Sequence, residues 1–299
     1  MRFELCLGQP VGLVRDLVSS DDPATVLECE ARLREGRVPN SLAGMEVDGE
    51  GWAITPEAFL LRVEDGLSFL YRKGEGVTFE RTSRVSDATV QLYFNGSVHG
   101  AIAWIDKLVP LHASAVCHEG RAFAFTGASG AGKSTLLAGL ADEGMSVFAD
   151  DVLILDLTDP EACVALPGHK RLKLWGDAFE LVDASRHEQV FPGMDKFFAE
   201  AQSTGETRAA PLAALVFLEE GEEMRLGPMA GGERFAALST ALYRPEYARG
   251  AGLNRGDLFD LRARLARDIP MRRFQRPRER ERFSESVRFI RDAIREGNW

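Results

Sequence analysis

The run Gly127-Ala128-Ser129-Gly130-Ala131-Gly132-Lys133-Ser134-Thr135 has the form G-x-x-x-x-G-K-[ST]. Glycine at the tight positions lets successive backbone N–H groups turn inward around an anion, and the helix that follows points its positive end at the same place. In such a loop Lys133 reaches the outer phosphates of a nucleotide, and Ser134 offers a hydroxyl to Mg²⁺. Downstream, an apolar stretch Met145-Ser146-Val147-Phe148-Ala149 ends in the adjacent acids Asp150 and Asp151. Two carboxylates at that place suit metal binding and proton transfer during phosphoryl chemistry. Upstream, His112 stands at the start of another apolar stretch and could contact a phosphate or orient one of the acids.

Positioning these groups requires particular elements. Leu111–Cys117 and Arg121–Thr126 read as strands joined by His118-Glu119-Gly120, and a turn centred on Glu119 sets His112 opposite Thr126, immediately before the glycine run. A helix is predicted from Lys133 to about Asp142, then a turn at Gly144 and a strand Met145–Ala149. Strand, helix and strand of this kind run the strands parallel and open their carboxyl ends on one edge, so both acids face the loop. Leu212–Leu218 reads as a buried strand; Leu258, Leu261 and Leu265 share one helix face, and Phe283, Val287, Ile290 and Ile294 share another.

The residues before this core read differently. Between Ala58 and Arg81 apolar positions alternate at period two, broken by Glu64-Asp65-Gly66 and Gly74-Glu75-Gly76, which predicts a meander of hairpins. Arg2–Leu7 and Thr25–Leu33 are further candidate strands, and Ser97–Leu108 has helical spacing stopped by Pro110. The expected organisation is a smaller β-rich domain over residues 1–108 and an α/β domain over residues 109–299 with a helical end.

Composition narrows the class. With 299 residues, 45% hydrophobic and 27% charged, the chain is a folded globular protein with room for two domains. The net charge of −10 argues against nucleic acid or an anionic membrane as partner, although the stretch from Arg262 to Trp299 holds twelve arginines against six acids. That Arg-rich end reads as a solvated face on which an acidic partner could dock. Cys6, Cys29, Cys117 and Cys163 lack zinc-site spacing and read as reduced thiols. With no basic segment leading into an apolar one near Met1, the expected location is cytoplasmic.

Leu111-His112-Ala113-Ser114-Ala115-Val116, the glycine run and Phe148-Ala149-Asp150-Asp151 together resemble the kinase domain of the HPr kinase/phosphorylase family, bacterial serine kinases related to ATP-dependent phosphoenolpyruvate carboxykinases. The resemblance covers Leu111 to about Asp156. It implies a P-loop nucleotide-binding kinase domain that uses ATP and Mg²⁺. It places His112 beside the transferred phosphate, Ser134 and Asp151 on the metal, and Asp150 as the base that takes the acceptor hydroxyl's proton; adjacent carboxylates titrate together, so the reverse division stands beside it. Thr135 occupies the position where that family has Glu, and the family's glycine-rich substrate loop is not found. Instead Leu166-Pro167-Gly168-His169-Lys170-Arg171-Leu172-Lys173-Leu174-Trp175 is similar to a segment of smaller relatives, some found beside lasso-peptide genes.

Lys170, Arg171 and Lys173 are candidates for phosphate or substrate contact, and Lys196 resembles a lysine at about this place in related kinases. The expected acceptor is a Ser or Thr hydroxyl on a small protein or peptide, with a homo-oligomer also compatible. The alternatives are a lasso-type peptide precursor, a small-molecule hydroxyl, or a nucleotide-gated binding module that transfers nothing. Neither an L-S-G-G-Q run nor an N-K-x-D motif is present, which argues against an ABC-type ATPase or a switch GTPase.

Overall fold

The computed structural model describes residues 33–63, 66–191, 193–201 and 208–297, a mixed α/β protein built on several sheets. The candidate strands Arg2–Leu7 and Thr25–Leu33, apart from Leu33 itself, lie outside the described residues, as do Cys6 and Cys29. The chain divides into two units, one reaching to Pro110 and including Arg244–Phe259, the other comprising Leu111–Tyr243 and from Asp260 onward. The expected contiguous segment 109–299 includes Arg244–Phe259, which this division places with the first unit.

In the first unit β1 (Leu33–Glu35) is followed by a small hairpin of β2 (Ser41–Leu42) and β3 (Met45–Glu46). The predicted meander is formed by β4 (Gly51–Thr55), β5 (Ala58–Val63), β6 (Leu67–Arg72) and β7 (Gly76–Glu80), all antiparallel neighbours, with β1 added parallel to β7. Period-two burial places Phe59, Phe69, Tyr71, Val77 and Phe79 wholly inside. The helical segment begins earlier than its apolar spacing suggests. Ser86 caps it by accepting from Thr89 N at 3.1 Å, and helix continues through Asp87–Tyr93, a π turn at Phe94–Val98, and His99–Ile105. The helix Pro245–Gly250 from the excursion completes this unit, burying Tyr247 against Trp52 and Phe59 with ring centroids 4.8 and 5.0 Å apart.

The chain leaves along β8 (Val109–Leu111) and enters the second unit. There β9 (Ala113–His118) lies between β10 (Arg121–Thr126) and β11 (Ser146–Ala149) and is antiparallel to both, so β10 and β11 run the same way. β12 (Leu153–Asp156) pairs with β13 (Val164–Leu166) in the same sheet, while β14 (Leu172–Trp175), β15 (Ala184–Gln189) and β16 (Lys196–Ala201) form a separate three-stranded sheet in the order β14-β16-β15. β17 (Ala210–Glu220) runs parallel to β10, and β19 (Met271–Arg276), itself paired with β18 (Arg225–Pro228), runs parallel to β17. The carboxyl ends of β10, β17 and β19 therefore open on one edge.

One face of this sheet is covered by the helix Lys133–Asp142, called here the loop helix, and by the last helix, Phe283–Glu296. They pack closely because Gly139 lacks a side chain: a Cβ there would sit 2.6 Å from Val287 Cγ2. Phe123, Phe125, Leu136, Leu140, Phe274, Val287 and Ile290 make the shared core, each fully or almost fully buried. Burying side chains of this size contributes about 1.5–3 kcal/mol apiece, which fixes the base of the glycine loop. No helix among the described residues is long and apolar enough to cross a membrane.

Candidate functional site

The glycine loop joins the end of β10 to the loop helix. Gly127 and Gly132 meet steric requirements that other residues would not. A Cβ on Gly127 would fall 2.8 Å from Leu218 O on β17, and Gly132 takes φ 82° directly before the helix. The helix starts without a side-chain cap, so its first N–H groups are available to an anion. Lys133, 8% exposed, folds back and donates from Nζ to the carbonyls of Gly127 at 3.0 Å and Ala128 at 3.3 Å. Burial pulls its ammonium below the ordinary value, against the opposing charges of Asp151 and Asp150.

At the end of β11 the two acids have different surroundings. Asp150 is fully buried. Its Oδ1 accepts from Ser114 Oγ at 2.6 Å and from Ser134 Oγ at 2.9 Å, and its Oδ2 accepts from the backbone of Lys173 at 3.2 Å. Burial and the neighbouring Asp151 push its carboxyl upward, while the two serine hydrogen bonds oppose them. Asp151 has φ 71°, and Val152 N donates across it to Asp150 O at 2.9 Å, a three-residue turn with a left-handed centre. Such a conformation costs a non-glycine residue on the order of 1–3 kcal/mol. It turns the Asp151 carboxylate out of the sheet into the cavity beside the glycine loop.

That carboxylate is held by a fixed cation. Lys173 Nζ donates to Asp151 Oδ2 at 2.7 Å, and His112 Nδ1 lies 3.1 Å from Asp151 O and 3.5 Å from Oδ1. Burial alone would raise the Asp151 carboxyl, but Lys173, with help from His112 and His169, holds it well below the usual carboxylate range. His112 is lowered by burial first and by Lys133 second, with Asp151 opposing.

The hairpin corrects one expectation. The turn consists of Glu119 and Gly120, both at positive φ, rather than three residues centred on Glu119. Ala113, not His112, therefore faces Thr126, and Thr126 Oγ1 instead donates to His112 O at 2.8 Å. His112 lies just outside β9, where its N–H donates to Ala241 O at 2.7 Å, and its side chain still lines the cavity.

The cavity measures about 390 Å³ and is lined by Ser129 through Thr135, together with His112, Asp151, Lys173 and Lys196. Lys196 stands over the Trp175 ring, 5.5 Å from its centroid. Lys170 and Arg171 are occupied elsewhere. Lys170 Nζ donates to Phe148 O at 2.5 Å and Gly168 O at 2.8 Å, pinning the segment that carries the acids, while Arg171 pairs with Glu188 at 2.6 Å and covers the Phe198 ring. Sequence reasoning missed Ser114, whose hydroxyl shares the Asp150 oxygen with Ser134, and Arg276, Arg278 and Arg280, which line the cavity from the C-terminal part of the chain.

ATP and Mg²⁺, implied by the resemblance, fit this donor set. A cavity bearing Lys133, Lys173, Lys196 and three arginines suits a polyphosphate. Among the described residues no cluster of three or more His, Cys, Asp or Glu could hold a metal by itself. Mg²⁺ is commonly held by one or two carboxylates plus the oxygens of a phosphate chain, and Asp150 and Asp151, beside the Ser134 hydroxyl, provide that number.

No family model and no curated protein matches the chain. Among solved structures it is similar to the HPr(Ser) kinase/phosphatase from Coxiella burnetii, with 14% identity and a TM-score of 0.33 over 63% of this chain and 95% of that one.

Proposed function

We propose that the second unit is a Mg·ATP-dependent kinase, transferring the terminal phosphoryl group to a Ser or Thr hydroxyl of a small protein or peptide. The observation that carries this reading is the joint position of the glycine loop and the Asp151 carboxylate on one cationic cavity. Apolar surface for the nucleoside would come from Ala178, Leu181 and Phe283, which line the same cavity.

The environments of the two acids favour the reverse of the roles that the resemblance lists first. Asp150, buried and bonded to Ser134, would hold the metal with that serine; Asp151, a quarter exposed, would meet the acceptor. When bound, Mg²⁺ neutralises charge on the phosphoryl oxygens. The acceptor oxygen forms a bond to the γ-phosphorus as the bond to the bridging oxygen of ADP breaks, and the hydroxyl proton passes to Asp151. Lys173 orients that carboxylate and keeps it ionised, Lys133 binds the phosphate chain, and His112 stands beside Asp151 where the transferred group would pass.

The test is transfer of label from γ-labelled ATP to co-purifying or co-encoded peptides and proteins, and to free serine. Transfer that requires Asp151 supports the reading. ATP binding with no transfer to any of these acceptors would point instead to a nucleotide-gated binding module.

A further inference from the structure

We infer that Arg276 is an anion-binding residue of the glycine-loop site, a guanidinium supplied by the C-terminal end of β19 to the phosphate chain of the nucleotide. The inference rests on the proposed nucleotide site and adds a component to it that the glycine motif does not contain.

Arg276 is 8% exposed. Its Nη2 donates to Ala131 O at 3.0 Å, and a Cβ on Gly132 would lie 2.6 Å from the same nitrogen. The guanidinium therefore rests on the two residues that lead into the loop helix. It arrives there by sheet geometry: β19 is parallel to β17, Arg276 is opposite Glu220, and both strands end on the edge where β10 gives way to the loop. Period two places Arg276 on the face of Phe274, which is buried in the core shared with the loop helix.

What distinguishes Arg276 from the other two arginines that line the cavity is its lack of a counter-charge among the described residues. Arg278 pairs with Glu220 and Arg280 with Glu180. Among the described residues no carboxylate pairs with Arg276, whose hydrogen-bond acceptor is a neutral carbonyl. Burial, then the nearby Arg278, both pull its proton affinity down, with no acid opposing them. A buried charge left without a partner is expensive to fold, and a guanidinium at the mouth of a phosphate-binding loop recovers that cost when an anion arrives. Contact with Ala131 and Gly132 assigns it to the nucleotide rather than to an anionic group on the acceptor.

The test compares wild type, Arg276→Gln and Arg276→Lys by calorimetric binding of MgATP and of inorganic pyrophosphate, together with the melting temperature of each ligand-free protein. The expected result is affinity lowered about tenfold to a hundredfold for both probes in Arg276→Gln, a smaller loss in Arg276→Lys, and a ligand-free melting temperature unchanged or higher. A drop in ligand-free melting temperature or failure of the Gln variant to fold would assign Arg276 a structural role and overturn the inference. So would unchanged affinity for both probes, or a loss confined to the acceptor's KM. Wild type that binds neither probe would overturn the nucleotide site itself, a result distinct from wild type binding and the variants binding equally well.

Discussion

Ser134 Oγ donates to Asp150 Oδ1 at 2.9 Å, linking the first turn of the loop helix to the end of β11. The same oxygen accepts from Ser114 on β9, so three elements meet at one buried carboxylate. Its neighbour, Asp151, is thereby left to face the cavity, and the two acids can be separated experimentally.

Asp151→Asn is expected to lower phosphoryl transfer by about 10²–10⁴-fold while MgATP binding persists, as for loss of a proton acceptor. Asp150→Ala should act on folding as well, because the hydroxyls of Ser114 and Ser134 and the amide of Lys173 lose their acceptor. Each buried donor left unpaired costs about 1–3 kcal/mol. Turnover, equilibrium binding and denaturant unfolding on both variants check this, and equal effects of the two on all three would refute the division of roles.

Gly132→Ala should weaken nucleotide binding and cost about 1–2 kcal/mol from the left-handed backbone alone, since Gly132 has φ 82° and its absent Cβ would press on Arg276. Gly130 also has a positive φ, but nothing stands within 4 Å of its absent Cβ, so Gly130→Ala should retain Arg276 in place. Crystal structures of the two variants would show whether the guanidinium is displaced only in the first.

His169 is buried, and among the described residues neither ring nitrogen has a hydrogen-bond partner in good geometry. Burial, then Lys173, bring its pKa from 6.5 down to about 3. The folded state thus keeps the ring neutral while the unfolded chain protonates it below pH 6.5. This contribution to stability is complete above that pH and falls as the pH drops toward about 3. The slope is at most about 1.4 kcal/mol per pH unit for one proton. Unfolding free energies of wild type and His169→Gln across pH 4–7 should diverge in steepness; parallel curves would show that the ring does not contribute.

Gly250→Ala is expected to destabilise the first unit by about 1–3 kcal/mol through overpacking, because a Cβ there would lie 2.1 Å from Ile54 Cγ2 and 3.0 Å from Ile54 O. Hydrogen exchange should accelerate in β4 and β5 before it does in β10 and β17. Uniform acceleration would mean that the excursion does not belong to the first unit.

Local chemistry decides what is legible in the sequence. Glycines, a lysine and an apolar run place the loop, the helix Lys133–Asp142 and the strand before Asp150, since each is specified within a few neighbouring residues. The hairpin before the loop shows the limit: moving from a three-residue to a two-residue turn shifts the partner of Thr126 from His112 to Ala113. Arg276 was hidden for another reason. In a stretch with twelve arginines, composition suggests a solvated face, and only the sheet register reveals which guanidinium lies inside without an acid. The excursion Arg244–Phe259 has no local signature, because membership of a unit is set by distant partners such as Trp52 and Phe59 of Tyr247.

That excursion also orders events during synthesis. The β meander is translated early, but the helix bearing Tyr247 follows only after all of Leu111–Tyr243, so the first unit lacks part of its core while most of the second emerges from the ribosome. The second unit waits in turn for Asp260 onward, including β19 and the last helix. The first unit is complete only at Phe259, after most of the second has been made, so strict domain-by-domain folding from the N-terminus does not describe this chain. The two must mature over overlapping intervals, and a nascent chain halted before residue 244 would leave both unfinished.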